Sequence, residues 1–176
     1  PSEKFTVTLT DPHVAGIEFN NKQSIGTIVN DDLDLPRWPR PVFRGDPHLV
    51  SFDGLAYDFQ AAGEFVLAQG AEGSGIEVQA RTAPIGDLAS NMTAIATLID
   101  GHRVTIDTFA DQPMRIDGVV TVVPADTGFI DVGNGTIAFD GSTYSLIDPG
   151  RVSLIVQDLG NRLDLVMSAD HSLAGT

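Results

Sequence analysis

One tetrapeptide in the chain carries reactive potential: Gly45-Asp46-Pro47-His48. A bond to proline is a tertiary amide, so its nitrogen is more basic than an ordinary peptide nitrogen and departs more readily once protonated. The Asp46 carboxyl can reach its own main-chain carbonyl carbon, and attack there closes a five-membered cyclic anhydride. Holding nucleophile and electrophile in one residue removes several kcal/mol from such a barrier. Pro47 restricts Asp46 to extended backbone. His48 changes charge at mildly acid pH and could protonate or position the leaving nitrogen. Water would open the anhydride, or a partner's hydroxyl or amine would capture it as a crosslink. Such chemistry is one self-processing event, not turnover. The structural alternative is a turn entering the first strand of a sheet.

Composition narrows the setting. Of 24 acidic residues 19 are Asp, and the net charge is −14. Glu favours helices, whereas Asp favours turns, caps and oxygen cages for hard cations. A chain this negative repels phosphate backbones and anionic lipid, which argues against nucleic acid and membrane partners and for calcium. With no cysteine, disulfides, thiolate metal sites and Cys nucleophiles are excluded. No apolar run approaches the roughly 20 residues of a membrane-spanning helix, so membrane insertion is not expected. The four histidines are scattered without metal-ligand spacing, and His102 and His171 read as surface or turn residues. Gly133-Asn134-Gly135 reads as a hairpin turn, not a phosphate loop. Nothing fixes the separation of Glu64 and Glu77 that a glycosidase pair would need.

The elements around the tetrapeptide read as strands. Residues 3–9 alternate, with Phe5, Val7 and Leu9 on one face. A second strand covers residues 26–29. Residues 33–44 carry Pro36, Pro39 and Pro41 with Arg37, Arg40 and Arg44 and the single Trp38, and read as a semi-rigid linker. Trp38 and the arginines fit packing on neighbouring acidic modules, or a ligand strip. Strands are expected at 64–68, 76–82, 94–99, 103–109, 152–156 and 163–166. Turns are expected at Asp100-Gly101, Asp117-Gly118, Asn134-Gly135, Asp140-Gly141 and Gly160-Asn161. By the period-2 rule Tyr57 and Phe59 share a face and enter the core together, while Asp53 and Asp58 cap backbone amides near a turn. Short strands with frequent turns predict an all-β, antiparallel β-sandwich.

Gly45-Asp46-Pro47-His48 is followed by Phe52-Asp53-Gly54, Tyr57-Asp58-Phe59 and Glu64-Phe65-Val66-Leu67. This series, with its intervals, resembles the opening of a von Willebrand factor type D domain. The resemblance implies a domain over residues 45–176, truncated at its C-terminal calcium loop. It also implies that some relatives cut between Asp and Pro, and that Asp46 and Asp53 are calcium candidates beside that loop. The chain departs from animal members where Gly63 replaces a cysteine. Glu3-Lys4-Phe5-Thr6-Val7-Thr8-Leu9 and Gly26-Thr27-Ile28-Val29-Asn30-Asp31-Asp32 resemble the end of a Calx-β repeat, an Ig-like sandwich, over residues 1–32. In that family the terminal acids hold calcium at a module junction, which makes Asp31, Asp32 and Asp34 candidate ligands. Together the resemblances imply an extracellular or cell-surface adhesion module of a large secreted, bacterial protein. Its expected partners are neighbouring repeats of the same chain and a cell-surface or matrix ligand.

Overall fold

The structure is a computed structural model that describes residues 3–8, 23–28, 41–44, 47–71, 74–148 and 152–169. The chain divides into two units, Pro1–Arg37 and Trp38–Thr176. In the first, β1 (Glu3–Thr8) pairs antiparallel with β2 (Gln23–Ile28), from Glu3 opposite Ile28 to Thr8 opposite Gln23. β2 starts earlier than the apolar pattern indicated, because pairing with β1 carries the polar Gln23 and Ser24 into the ladder.

The second unit is all β among its described residues. In chain order its strands are β3 (Val42–Arg44), β4 (His48–Val50), β5 (Ala56–Asp58), β6 (Gly63–Gln69), β7 (Glu77–Ile85), β8 (Ala89–Ile99) and β9 (His102–Asp107). They continue with β10 (Met114–Ile116), β11 (Val119–Val120), β12 (Phe129–Val132), β13 (Gly135–Phe139), β14 (Thr143–Asp148), β15 (Val152–Asp158) and β16 (Leu163–Ala169). One six-stranded sheet runs β11-β10-β9-β8-β7-β6, and one eight-stranded sheet runs β12-β13-β14-β15-β16-β3-β4-β5. All pairings are antiparallel.

The alternation of apolar residues dictates which face turns inward. Val78, Ile95, Ile99, Val104 and Ile106 from the first sheet and Ile137, Leu146, Leu154, Leu165 and Met167 from the second are almost fully buried. They form one core cluster, the expected sandwich interior. A bulge opposite Arg81 and Thr82 leaves Thr93 out of the ladder. Thr93 is buried there, its hydroxyl donating to the Arg81 carbonyl at 3.3 Å.

Two expected turns form as tight hairpins. Asp100 and Gly101 join β8 to β9, and Asp117 and Gly118 join β10 to β11, all four with positive φ, as a mirror-type two-residue turn requires.

Three expectations need correction. The last residues of the predicted linker are strand: Val42–Arg44 is β3, with Phe43 buried, because β16 and β4 flank it on both sides. Tyr57 and Phe59 do not enter the core together. Tyr57 stays exposed because β5 is the sheet's edge strand, while Phe59 packs on the core. The β12–β13 turn uses Gly133 and Asn134, since Val132 pairs directly with Gly135. Gly135 instead fills a tight place in the sandwich. A Cβ there would overlap the Ile99 side chain and stand 2.7 Å from the Ile147 carbonyl oxygen.

Candidate functional site

β3 and β4 form a hairpin whose last paired residues are Arg44 and His48, so residues 45–47 connect them. The Asp46–Pro47 bond therefore belongs to a connection between two strands of the sheet. Gly45 and Asp46 lie outside the described residues, as do Asp31, Asp32, Asp34, Arg37, Trp38, Arg40, His13 and His171.

Pro47 is buried. It borders a small apolar recess with Phe43, Leu49, Phe59 and Phe65. Phe59 and Phe65 meet there edge to face, ring centroids 4.7 Å apart, a favoured aromatic arrangement. The Pro47 carbonyl accepts the Phe59 N–H at 3.0 Å. Apolar packing and this hydrogen bond fix the amine side of the Asp46–Pro47 bond in place.

His48 begins β4 and projects to solvent. Register sets Arg44 of β3 opposite it on one side and Asp58 of β5 on the other. Its Nδ1 lies 2.6 Å from Asp58 Oδ1. An ionised carboxylate only accepts, so Nδ1 carries the proton and Nε2 is left for other work. The side chains are 64% and 67% exposed. A pair this wet contributes about 0–1 kcal/mol to stability, so strand register, more than the pair itself, holds the geometry. The expected amide-capping role of Asp58 is replaced by this contact.

Asp53 lies in the β4–β5 turn, where its main partner is a side chain and not a backbone amide. Its carboxylate accepts the Ser51 hydroxyl. That hydrogen bond, with smaller help from the amides of Asp53 and Leu55 and against slight desolvation, holds its carboxyl below the usual range. Gly54 takes the left-handed conformation the turn requires (φ 86°) and donates to the Ser51 carbonyl at 3.1 Å. Among the described residues no group of three or more His, Asp or Glu side chains could hold a metal.

The other titratable candidates have structural partners. Arg81 binds Glu64 at 2.8 Å and reaches Asp107 at 3.4 Å, across the outer face of its sheet. Glu77 takes Gln69 and Gln79. His102 pairs with Asp117 at 2.7 Å. Of the residues at the hairpin, sequence reasoning missed the partnership of His48 and Asp58. The available signal was the hairpin register that a short turn between β4 and β5 imposes.

Comparison with known proteins agrees with this architecture. The chain is similar to human IgGFc-binding protein, 27% identical over a 119-residue alignment that covers 57% of this chain and 2% of that protein. It is similar to human Mucin-4, 33% identical over 137 residues, 63% of this chain and 2% of that protein. The chain thus spans a small fraction of the length of these relatives. No helix among the described residues is long and apolar enough to cross a membrane. The family model of the von Willebrand factor type D domain matches residues 42–170, a span that begins at β3, and the chain belongs to that family.

Proposed function

We propose that this chain is an extracellular structural and adhesion module of a large multidomain surface or secreted protein, and that its Asp46–Pro47 bond cuts itself. One observation carries the cleavage reading: Pro47 is clamped by packing and by Phe59 N–H, and the imidazole of the next residue is oriented by Asp58. Held so, Pro47 would serve as the leaving amine and His48 as the proton source.

The chemistry balances with this chain's own groups and water. A side-chain oxygen of Asp46 bonds to the Asp46 carbonyl carbon and closes the anhydride. The C–N bond to Pro47 breaks, and the nitrogen leaves as a secondary amine with a proton taken from His48 or solvent. Water then opens the anhydride, leaving a new C-terminal Asp46 with two carboxyl groups. A hydroxyl or amine of a partner in place of water would give an ester or amide crosslink. Preorganisation of the leaving group and proton donor is the fold's contribution.

The module reading rests on the match to the von Willebrand factor type D domain and on similarity to a mucin. A bacterial source and a Calx-β-like repeat over residues 1–32 accompany it, supported by the absence of cysteine and by the Asn30-Asp31-Asp32 ending. Calcium would bind at Asp31, Asp32 and Asp34, hard oxygen donors suited to that ion. Partners would be neighbouring repeats and a cell-surface or matrix ligand.

The test of cleavage is to incubate the purified chain between pH 4 and 7 and read intact masses beside Asp46→Ala. Fragments of residues 1–46 and 47–176 from the parent alone support the reading. An uncut parent at every pH, matching the variant, removes it.

A further inference from the structure

We infer that Asp58 is a positioning residue for scission at Asp46–Pro47: it holds His48 so that Nε2 alone is free to give a proton to the departing Pro47 nitrogen. This assignment rests on the self-cleavage reading above. Three observations carry it. Asp58 and His48 are directly opposed in the β4–β5 register. The Nδ1–Oδ1 separation is 2.6 Å, the range of a charge-assisted hydrogen bond. The next residue along, Phe59, donates its N–H to the Pro47 carbonyl at 3.0 Å. Two consecutive residues of one edge segment thus grip the two residues that follow the scissile bond.

The grouping has a physical logic. A histidine whose Nδ1 proton is fixed on a carboxylate is locked in one tautomer and one ring orientation. Bound this way the ring presents a single nitrogen for proton transfer. Arg44 is the register partner of His48 on β3 and Asp58 its partner on β5, so a basic and an acidic residue flank it along the sheet. The donor is the protonated ring, with hydrogen on both nitrogens: as the C–N bond breaks, the Nε2 proton passes to the Pro47 nitrogen, Nδ1 keeps its proton on Asp58, and water reprotonates Nε2. Asp58 touches no reacting atom; it acts through His48.

The experiment compares the parent chain with Asp58→Ala and Asp58→Asn at one mildly acid pH, following fragment formation by mass. Cleavage by Asp58→Ala is expected to be at least about tenfold slower, within the range that a placed proton donor contributes. Asp58→Asn keeps an acceptor oxygen and should retain more of the rate. Melting temperatures of all three should agree, since the pair is exposed. In parallel, ¹⁵N NMR of the uncleavable Asp46→Ala chain at alkaline pH should show the neutral His48 ring with its proton on Nδ1, and adding Asp58→Ala should release it to a mixture of tautomers. Equal cleavage rates in the parent and a folded Asp58 variant overturn the positioning role and leave scission standing. So does a neutral His48 ring in the Asp46→Ala chain whose one proton sits on Nε2. A parent that never cuts removes both.

Discussion

The carboxylate of Asp100, at the β8–β9 turn, accepts the backbone N–H of Asn134, at the β12–β13 turn, at 2.8 Å. The two turns belong to different sheets, so this hydrogen bond ties the layers together at one end of the sandwich. Gly133 and Gly135 on either side allow the approach, since a Cβ at Gly133 would overlap Asp100 and one at Gly135 would overlap Ile99. Gly135→Ala should destabilise the fold by about 1–3 kcal/mol, the usual range for overpacking. Asp100→Ala loses the hydrogen bond and puts alanine at a positive φ, for about 1–2 kcal/mol. Asp100→Asn, which tolerates that backbone, should cost less. Urea unfolding curves measure all three.

Acid should weaken the domain through its turn aspartates. The His102 ring and the Arg103 amide hold the Asp117 carboxyl below its ordinary value. The amides of Ser142 and Thr143 do the same for Asp140. Groups lowered in the folded state stabilise it above the unfolded value, near 3.8, and lose that contribution as pH falls through the folded value. The melting temperature should be flat from pH 7 to about 5 and drop below about 4. Asp140→Asn should melt lower at pH 7 and lose less on acidification. A scan of melting temperature against pH for parent and variant checks both.

Calcium should stabilise the chain through Asp31 and Asp32. At a hundredfold excess over the dissociation constant, one site adds about 2.7 kcal/mol, so replacing EDTA with calcium should raise a melting transition by several degrees. Asp31→Ala combined with Asp32→Ala should abolish the rise. A calcium response that persists in the double variant would place the ion elsewhere.

A cut at Asp46–Pro47 leaves β3 on the N-terminal piece, yet β3 is an interior strand. Phe43 pairs with Leu165 of β16 on one side and Leu49 of β4 on the other, and the Pro41 carbonyl accepts the Met167 N–H at 3.0 Å. The two pieces should therefore co-elute on native size exclusion and separate in 6 M guanidinium, roughly the range that unfolds even hyperstable domains. Phe43→Ala, which empties a buried site for about 3–5 kcal/mol, should loosen the association.

What could be read from the sequence follows the range of the forces involved. Asp100-Gly101 and Asp117-Gly118 announced their hairpins because positive φ is a local demand that few residues meet. β3 was hidden: three residues after a run of prolines carry no strand signal of their own. They are ordered by Leu165 and Val166, far along the chain. Asn134-Gly135 misled by one residue because Gly135 serves packing against Ile99 while Gly133 supplies the turn. At the hairpin, the reactive trio Asp46, Pro47 and His48 was legible from chemistry alone. The tie from His48 to Asp58, ten residues on, needed the register of an edge strand.

The chain supplies its own control for the central claim. It contains three Asp–Pro bonds, at 11–12, 46–47 and 148–149, and the first is also followed by histidine, His13. Mass mapping of chain held at mildly acid pH, native and in denaturant, separates fold-driven scission from ordinary acid lability. A break is expected at Asp46–Pro47 alone, in the native chain alone, absent in Asp46→Ala. Equal cutting at all three bonds, or cutting at 46–47 that is no faster folded than unfolded, would contradict it.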